Sequence, residues 1–440
     1  MQASPTLRNV ESIHRAFRRP CLLGTALIAV ALQSCSATDL SIVTAGAVGD
    51  GKTLNTKAIQ GAINQLESQG GGTLVIPSGQ FLTGALFLKP KINVSIDADG
   101  VLLGSTNILD YPEMPTRIEG HETVWIPALL NAAWCDNLEI TGSGTIQGGG
   151  QPYWDAFYNA RKVSSATKNL DVKRPRNIFI SDSKNVLLKG IKLRGSGFWN
   201  LHLYRDQNVT VESVDIREPH APSTDGIDVD SCQDVTIHGC YISDNDDNIA
   251  VKGSKGPTAD TDTTSPPDAH IHISDCTFGH GNGILTLGSE ATYVHDVTVD
   301  NCKIEGTETN HVLTVKLRPD TPQHYEDIHV SNIVDNAPGT MINLAPWIQY
   351  FDLGGHAPPT QTAENITISN VTGSTTGFGR IAGPDKSVVR NITISNVDLK
   401  VSKPGADIKN VQGLKLDNVK LNGVALTEPD QGAAAPSPAD

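Results

Sequence analysis

The sequence predicts an all-β protein, folded as a single-stranded right-handed parallel β-helix with one helix capping its N-terminal end. Two observations predict this fold. Short segments with alternating apolar residues recur along the chain, and each contains a turn-forming residue at the same place. The composition agrees, with 41 glycines and only 5% aromatic residues. Segments of this kind cannot bury an apolar face alone, so they must stack on their neighbours.

The repeat is clearest between residues 185 and 400. Segments start at Asn185, Asn208, Asp234, His270, Asp296, Asp327, Asn365 and Asn391. Within them, one position is occupied by residue types that tolerate a left-handed backbone: Gly190, Ser213, Gly239, Asp275, Asn301, Asn332, Asn370 and Asn396. The next position is Ile, Val or Cys. We therefore interpret Cys240, Cys276 and Cys302 as buried core residues, in preference to disulfide partners.

The chain ends differ from the repeat. Residues 1–37 combine basic residues with an apolar stretch too short to span a membrane, which predicts an export signal. The sequence "LQSC", ending at Cys35, also resembles a lipoprotein processing site and leaves a lipid anchor open. "NTKAIQGAINQLESQ", from Asn55 to Gln69, predicts the capping helix, which would cover unpaired strand edges. We expect one β-helix domain over residues 38–428 and a disordered tail over 429–440.

The charge balance restricts the possible partners. With 34 Lys and Arg against 48 Asp and Glu, the net charge is −14, which argues against nucleic acid as a partner. An anionic polymer would need a local basic patch. The histidines show no metal-ligand spacing, so we expect neither a metal nor a cofactor. No other stretch is apolar enough to span a membrane, and we expect a monomer.

Three carboxylates stand out in "STDGIDVDS" and "YISDNDDNIAVKG". Asp225 and Asp246 are 21 residues apart, so we expect them on adjacent coils, with Asp247 directly after. Clustered carboxylates raise the pKa of at least one member. A protonated acid beside an ionised one is suited to cleaving glycosidic bonds. A solvated acidic turn and a calcium site remain alternatives on spacing alone.

The stretches "RPRNIFISDSKNVLLKGIKLRGSGFWNLHLY", "STDGIDVDSCQDVTIHGCYISDNDDNIAVKGSKG" and "GILTLGSE" resemble glycoside hydrolase family 28, the polygalacturonases and their relatives. The resemblance runs from about Ile42 to Val397. It implies that Asp246 is the general acid, and that Asp225 and Asp247 hold and deprotonate the attacking water. Inversion at the anomeric carbon would follow, for which acid and base are typically about 6.5–9.5 Å apart.

The resemblance is imperfect in the substrate-binding motifs. Asn282 occupies the place of the family histidine, and His280 lies two residues earlier. Thr314-Val315-Lys316 replaces Arg-Ile-Lys, so the lysine is kept, while Arg318 follows two residues later. Tyr350 lies near the position of a binding tyrosine. The resemblance thus implies five candidate binding residues: Asn282, His280, Lys316, Arg318 and Tyr350. Glu290 is acidic too, and we interpret Asp228 and Asp230 as alternating strand residues that face away from the core and have no catalytic role.

The leading functional hypothesis is an exported hydrolase that cleaves α-linked galacturonosyl bonds in pectin, a cell-wall polysaccharide. The altered Arg and His positions keep a rhamnogalacturonan or other branched-pectin hydrolase as an alternative. A pectate lyase and a non-catalytic carbohydrate-binding β-helix are less favoured, since the matched motifs belong to the hydrolases and all three aspartates are present. We expect the insertion from Gly253 to His270 to border the cleft.

Overall fold

The computed structural model describes residues 38–218 and 220–427. Within them the chain forms a parallel β-helix, in which each coil pairs with the next through parallel strands, as the repeat predicts. The predicted export signal, the alternative anchor at Cys35 and the predicted tail over 429–440 lie outside the described residues.

One sheet carries a single strand from each coil, and we call it the site sheet. Its eleven strands pair in parallel in chain order: Leu86–Phe87, Leu130–Ala133, Ile178–Ser181, Leu201–Tyr204, Ile227–Asp230, Ile249–Lys252, Leu285–Leu287, Asn310–Leu317, Gly339–Pro346, Gly377–Ala382 and Ala406–Lys409.

The second sheet is built mostly from two short strands per coil, which merge into one long strand from Tyr293 onward. Its strands are Asp39–Ser41, Gly72–Ile76, Gly79–Thr83, Ile92–Ile96, Gly100–Gly104, Glu139–Gly142, Thr145–Gln147, Lys184–Lys189, Lys192–Arg194, Gln207–Glu212, Asp215–Arg217, Gln233–His238, Tyr241–Ser243, Asp268–Ser274, Thr277–Phe278, Tyr293–Glu305, Gln323–Asn336, Gln361–Thr375, Val388–Val401, Lys415–Leu421 and Val424–Ala425.

The remaining elements lie outside the two sheets. The strands Met114–Ile118 and His121–Trp125 form an antiparallel hairpin, here called the cover hairpin. The α-helices are Thr56–Ser68 and Gln151–Val163, and the short 3₁₀ helices are Ile108–Asp110, Asn169–Asp171 and Ala259–Thr261. None of the helices in the described part of the chain is long and apolar enough to cross a membrane.

The predicted turn positions explain how each coil bends. All eight have a left-handed backbone, with φ from 52° at Asn301 to 75° at Gly190. Their side chains also interact between coils: the Asn370 amide donates to Asn332 at 3.0 Å, and the Asn396 amide donates to Asn370 at 3.2 Å. Asn thus tolerates the left-handed backbone at this turn, and its side chain forms hydrogen bonds with the equivalent Asn of the neighbouring coil.

The predicted cysteine ladder is confirmed. Cys240, Cys276 and Cys302 occupy equivalent positions on three successive coils, and all three are buried as free thiols. Cys135 and Cys232 are also buried and free. These thiols are part of a continuous apolar core enclosed by the coils.

The predicted N-terminal helix is present over Thr56–Ser68. It buries Ile59, Ala62, Ile63 and Leu66, and it packs on strands of the first coils. Its function as a cap for the strand edges stays a prediction.

Candidate active site

Loops entering the site sheet bring the three aspartates together. Asp225 lies two residues before the strand Ile227–Asp230, and Asp247 lies two residues before Ile249–Lys252. Because Ile227 pairs with Ile249, the coil offset is 249 − 227 = 22 residues. The Gly226 amide also donates to the Asp247 carbonyl at 2.9 Å. Asp225 therefore lies beside Asp247. Asp225 and Asp246 lie on adjacent coils, as their 21-residue spacing predicts, and the residue directly opposite Asp225 is Asp247.

The three carboxyl groups nevertheless converge. One oxygen from each of Asp225, Asp246 and Asp247 lies within 4.8 Å of an oxygen of the other two. The 4.8 Å joins single oxygen atoms, whereas the about 6.5–9.5 Å of an inverting pair separates whole carboxyl groups.

Two buried lysines neutralise two of the aspartates. The Lys252 Nζ lies 3.0 Å from Asp225 Oδ2. The Lys316 ammonium donates to Asp247 Oδ2 at 2.5 Å, and the Thr286 hydroxyl donates to the other Asp247 oxygen at 3.0 Å. Burial opposes the charge on both lysines, but the neighbouring carboxylates raise the pKa of each above its usual value. Both lysines are therefore charged in this site.

Asp246 has no lysine within ion-pairing distance among the described residues. Its one side-chain partner is the Asn282 amide, which donates to Oδ1 at 3.1 Å. Burial raises the pKa of Asp246 to about 7, and the charges of Asp225 and Asp247 act in the same direction. Roughly half of the Asp246 carboxyl groups would hold a proton at neutral pH, compared with about one in a thousand at the ordinary pKa.

A fourth acidic residue lies beneath this group. Asp228 is fully buried, and the Lys252 Nζ lies 3.4 Å from its Oδ1. Burial raises the pKa of Asp228 well above its usual value, as does the nearby charge of Asp225. Lys252 therefore lies between a catalytic candidate and a buried acid, a position that strand alternation alone did not reveal.

The aspartates line a cavity of about 220 Å³, here called the acidic cavity. Glu119, at the turn of the cover hairpin, and Asn169 contribute from one side, while Trp347 and Tyr350 contribute from a later loop. Trp199 lies beneath, with the Lys252 Nζ 4.6 Å from its ring centroid. Burial by these residues is the cause of the high pKa of Asp246.

Asn282 and Lys316 line the acidic cavity, as expected for candidate binding residues. His280 does not line it; its Nε2 lies 3.9 Å from Glu308 on the neighbouring coil. The backbone carbonyl of His280 accepts a hydrogen bond of 2.9 Å from the side-chain amide of Asn248. This residue is therefore placed as part of the coil structure, and the site has no histidine where the family motif has one.

Arg318 and Tyr350 also line the acidic cavity, but their polar groups are already engaged. The Arg318 guanidinium makes two 2.8 Å hydrogen bonds to Asp320 and a third to the Gln349 carbonyl at 3.0 Å. The Tyr350 hydroxyl accepts a hydrogen bond from the Arg161 guanidinium and donates one to the Thr167 carbonyl. Arg318, which is only 1% exposed, fixes the loop that carries Tyr350.

Besides Lys252, three other charged residues line the acidic cavity without having been predicted there: Lys255, Glu290 and Glu119. Lys255 Nζ lies 3.7 Å from Glu290 and 3.8 Å from Glu119. Burial acts to raise the pKa of Glu290, but the charges of Lys252 and Lys255 outweigh burial and lower it. Burial and the charge of Glu290 both raise the pKa of Glu119. Glu119 comes from a hairpin more than a hundred residues earlier, so no local sequence pattern connects it with the aspartates.

The chain matches known proteins in both sequence and structure. The sequence model of the glycosyl hydrolases family 28 matches residues 68–423. A probable polygalacturonase of Vitis vinifera is 34% identical over 50% of this chain, which spans about half of that relative (45%). An exopolygalacturonase of Zea mays is 30% identical over 75% of both chains.

Among solved structures, an exopolygalacturonase from Thermotoga maritima superposes with a TM-score of 0.71. The two chains are 24% identical, and the match covers 88% of this chain and 93% of the other. The likeness in structure supports the same β-helix fold. Since the family model and the maize relative both extend over most of the sequence, this chain is a glycosidase that belongs to the glycosyl hydrolases family 28.

Proposed function

We propose that this protein hydrolyses α-linked galacturonosyl bonds in pectin outside the cell. The observation that carries the proposal is one protonatable aspartate beside two lysine-paired aspartates in a single cavity. The polygalacturonase names of the grapevine and maize relatives support the substrate. A polymer outside the cell requires export, which agrees with the predicted signal over residues 1–37.

Asp246 is the proton donor in this mechanism. It is the one member of the three whose carboxyl group lacks a lysine partner among the described residues, and its pKa near 7 keeps a proton available. That proton passes to the glycosidic oxygen as the bond from this oxygen to the anomeric carbon breaks. The Asn282 amide, donating to Oδ1, holds the carboxyl group in position and leaves Oδ2 for the substrate.

Asp225 and Asp247 hold the attacking water. A water that accepts or donates hydrogen bonds of about 2.8 Å can bridge two oxygens up to about 5.6 Å apart, so the observed separation within 4.8 Å admits one. The water oxygen attacks the anomeric carbon and its proton passes to one of the two carboxylates. Lys252 and Lys316 pair with these carboxylates and offset their negative charge.

Lys255 is the best candidate to bind a uronate carboxylate. The other cations of the acidic cavity have close partners: Lys252 and Lys316 pair with the aspartates, and Arg318 pairs with Asp320. The ion pairs of Lys255 are longer, at 3.7 and 3.8 Å, and exchange more readily for a substrate. One available cation supports one uronate subsite here. A branched pectin with a neutral sugar at the adjoining subsite is the second candidate.

The cover hairpin closes one side of the acidic cavity. A Cβ added at Gly120 would lie 2.6 Å from the Lys255 Cβ and 3.1 Å from the Glu290 Cβ, so the hairpin turn is in direct contact with both. Arg117 anchors the hairpin through hydrogen bonds of 2.9 and 3.1 Å to the buried Asp230. Relatives include exo- and endo-acting enzymes. This wall supports attack at a chain end.

Replacing the proposed acid tests the assignment. We expect Asp246→Asn to lower kcat on polygalacturonate by about 10²–10⁴-fold, the usual contribution of a general acid, while KM changes little. Release of reducing ends measures both constants. Asp398→Asn, at an exposed aspartate on the second sheet, is the matched control and should behave like the wild type. Turnover by Asp246→Asn within about threefold of the wild type would contradict the role.

The stereochemistry tests the bridging water. Attack by a water held between Asp225 and Asp247 inverts the anomeric centre, so the first product formed from an α-linked oligogalacturonide should be the β-anomer. Proton NMR spectra recorded in the first minutes of a digest, before mutarotation, distinguish the anomers. An initial α-product would mean that one aspartate attacks the sugar directly.

The mode of attack tests the cover hairpin. We expect monomeric galacturonate as the main product from the earliest times, because the wall leaves room for a chain end on that side. Chromatography of a polygalacturonate digest measures the product sizes. A variant with residues 116–123 replaced by a short Gly-Asn turn should shift the products towards random lengths. Random shortening by the wild type would show that the polymer passes the hairpin.

A further inference from the structure

A second cavity, of about 530 Å³, lies on the site sheet over earlier coils, and we call it the aromatic cavity. Its floor includes Asn131, Phe179 and Tyr204 from three adjacent strands, which face away from the apolar core. The cover hairpin forms a wall shared with the acidic cavity, since Thr116 lines one and Glu119 lines the other. The two cavities therefore adjoin along one sheet, on either side of the hairpin.

Trp134 is the unusual residue of this cavity. Its side chain is 68% exposed, and its backbone is left-handed with φ of 58°. The same turn on the next two coils is occupied by Asp182 and Arg205, also with positive φ. A left-handed backbone costs a bulky residue about 1–2 kcal/mol, and the turns of the second sheet mostly use Asn, Asp or Gly. An exposed indole at a strained position points to a ligand.

Phe87 and Phe179 complete a platform, since both are partly exposed at the cavity surface. Tyr204 also lines the cavity but is buried, at 2% exposure. The Tyr204 ring has the Arg117 and Arg205 guanidinium carbons 4.7 and 4.5 Å from its centroid, and its hydroxyl donates to Glu122 at 2.8 Å. A pyranose ring has an apolar face of C–H groups and an edge of hydroxyl groups. Aromatic faces bordered by a few polar groups suit such a ligand.

The charges favour a neutral sugar. Arg117 is neutralised by the buried Asp230, and Arg205 pairs with Asp182 at 2.8 Å and with Glu122 at 3.6 Å. The remaining charges at the cavity surface, Lys89 and Glu67, have opposite signs. The lining thus has three cations, Lys89, Arg117 and Arg205, and three carboxylates, Glu67, Glu122 and Asp182, so it carries no excess positive charge that would attract a uronate.

We propose that the aromatic cavity binds neutral sugar residues of the polymer, with Trp134 stacked on a pyranose ring. The site would hold a neutral branch close to the hydrolysed backbone, or a neighbouring chain, and keep the enzyme on its substrate. The identity of the polymer rests on the proposed function, whereas the binding of a neutral oligosaccharide does not.

Calorimetric titration tests the proposal. The Asp246→Asn protein, which would leave oligosaccharides intact, is titrated with a β-1,4-linked galactotetraose and separately with tetragalacturonate. We expect galactotetraose to bind with a Kd of about 1 mM or lower. Adding Trp134→Asn should weaken this binding about tenfold, equivalent to about 1.4 kcal/mol, whereas Trp134→Phe should retain most of it. Because Asn tolerates a left-handed backbone, the midpoint temperature of thermal unfolding should not be lower in the double variant than in Asp246→Asn.

Three results would overturn the proposal: galactotetraose fails to bind, Trp134→Asn binds it as well as the parent protein, or Trp134→Asn weakens tetragalacturonate instead. The last result would assign the cavity to uronates. An exposed aliphatic residue on the second sheet gives the matched control, because Val424→Asn should leave galactotetraose binding unchanged. Hydrolysis of polygalacturonate by the wild type is measured separately, so failure of the proposed function would not be mistaken for failure of this site.

Discussion

The parallel register between consecutive coils is the constraint on which the site depends. The pairing of Ile227 with Ile249 sets Asp225 beside Asp247, although 22 residues separate them in the chain. Backbone hydrogen bonds on both sides of the pair, including the one from Gly226 to Asp247, prevent a slip of one residue. Such a slip would turn the aspartates towards the apolar core. The coil backbone, more than any side-chain contact, therefore defines the positions of the catalytic candidates.

Pairing with lysines distinguishes Asp225 and Asp247 from Asp246, although all three have the same side chain. Removing one partner from a buried ion pair costs about 3–5 kcal/mol, so Lys252 and Lys316 are as necessary to the site as the aspartates they neutralise. Asp246 lies in the same cavity without a lysine partner among the described residues, and burial raises its pKa. The three aspartates of this cavity thus provide one proton donor, Asp246, and two lysine-paired groups, Asp225 and Asp247, which is a division of roles suited to glycosidic hydrolysis.

Much of the fold was predictable from the sequence because the same pattern of alternating apolar residues and turn-forming residues recurs in every coil between residues 185 and 400. Every predicted turn residue has the expected left-handed backbone, and the three ladder cysteines occupy equivalent core positions. The convergence of the aspartates on adjacent coils was predictable for the same reason. Lys252 was not predicted because nothing in the sequence distinguishes it from an ordinary strand residue. Glu119 was not predicted because it reaches the site from a hairpin that is distant in the sequence. Arg318 was placed near the cavity correctly, but Asp320 already binds its guanidinium.

Near neutral pH, Asp246 should hold the proton that cleavage of the glycosidic bond needs. Difference infrared spectroscopy between the wild type and Asp246→Asn measures this directly, since protonated and ionised carboxyl groups absorb at different frequencies. We expect a protonated carboxyl band, absent from the variant, that persists at pH 6 and disappears as the pH rises through about 7. Loss of that band near pH 4, the ordinary range of an aspartate, would show that Asp246 does not hold the proton.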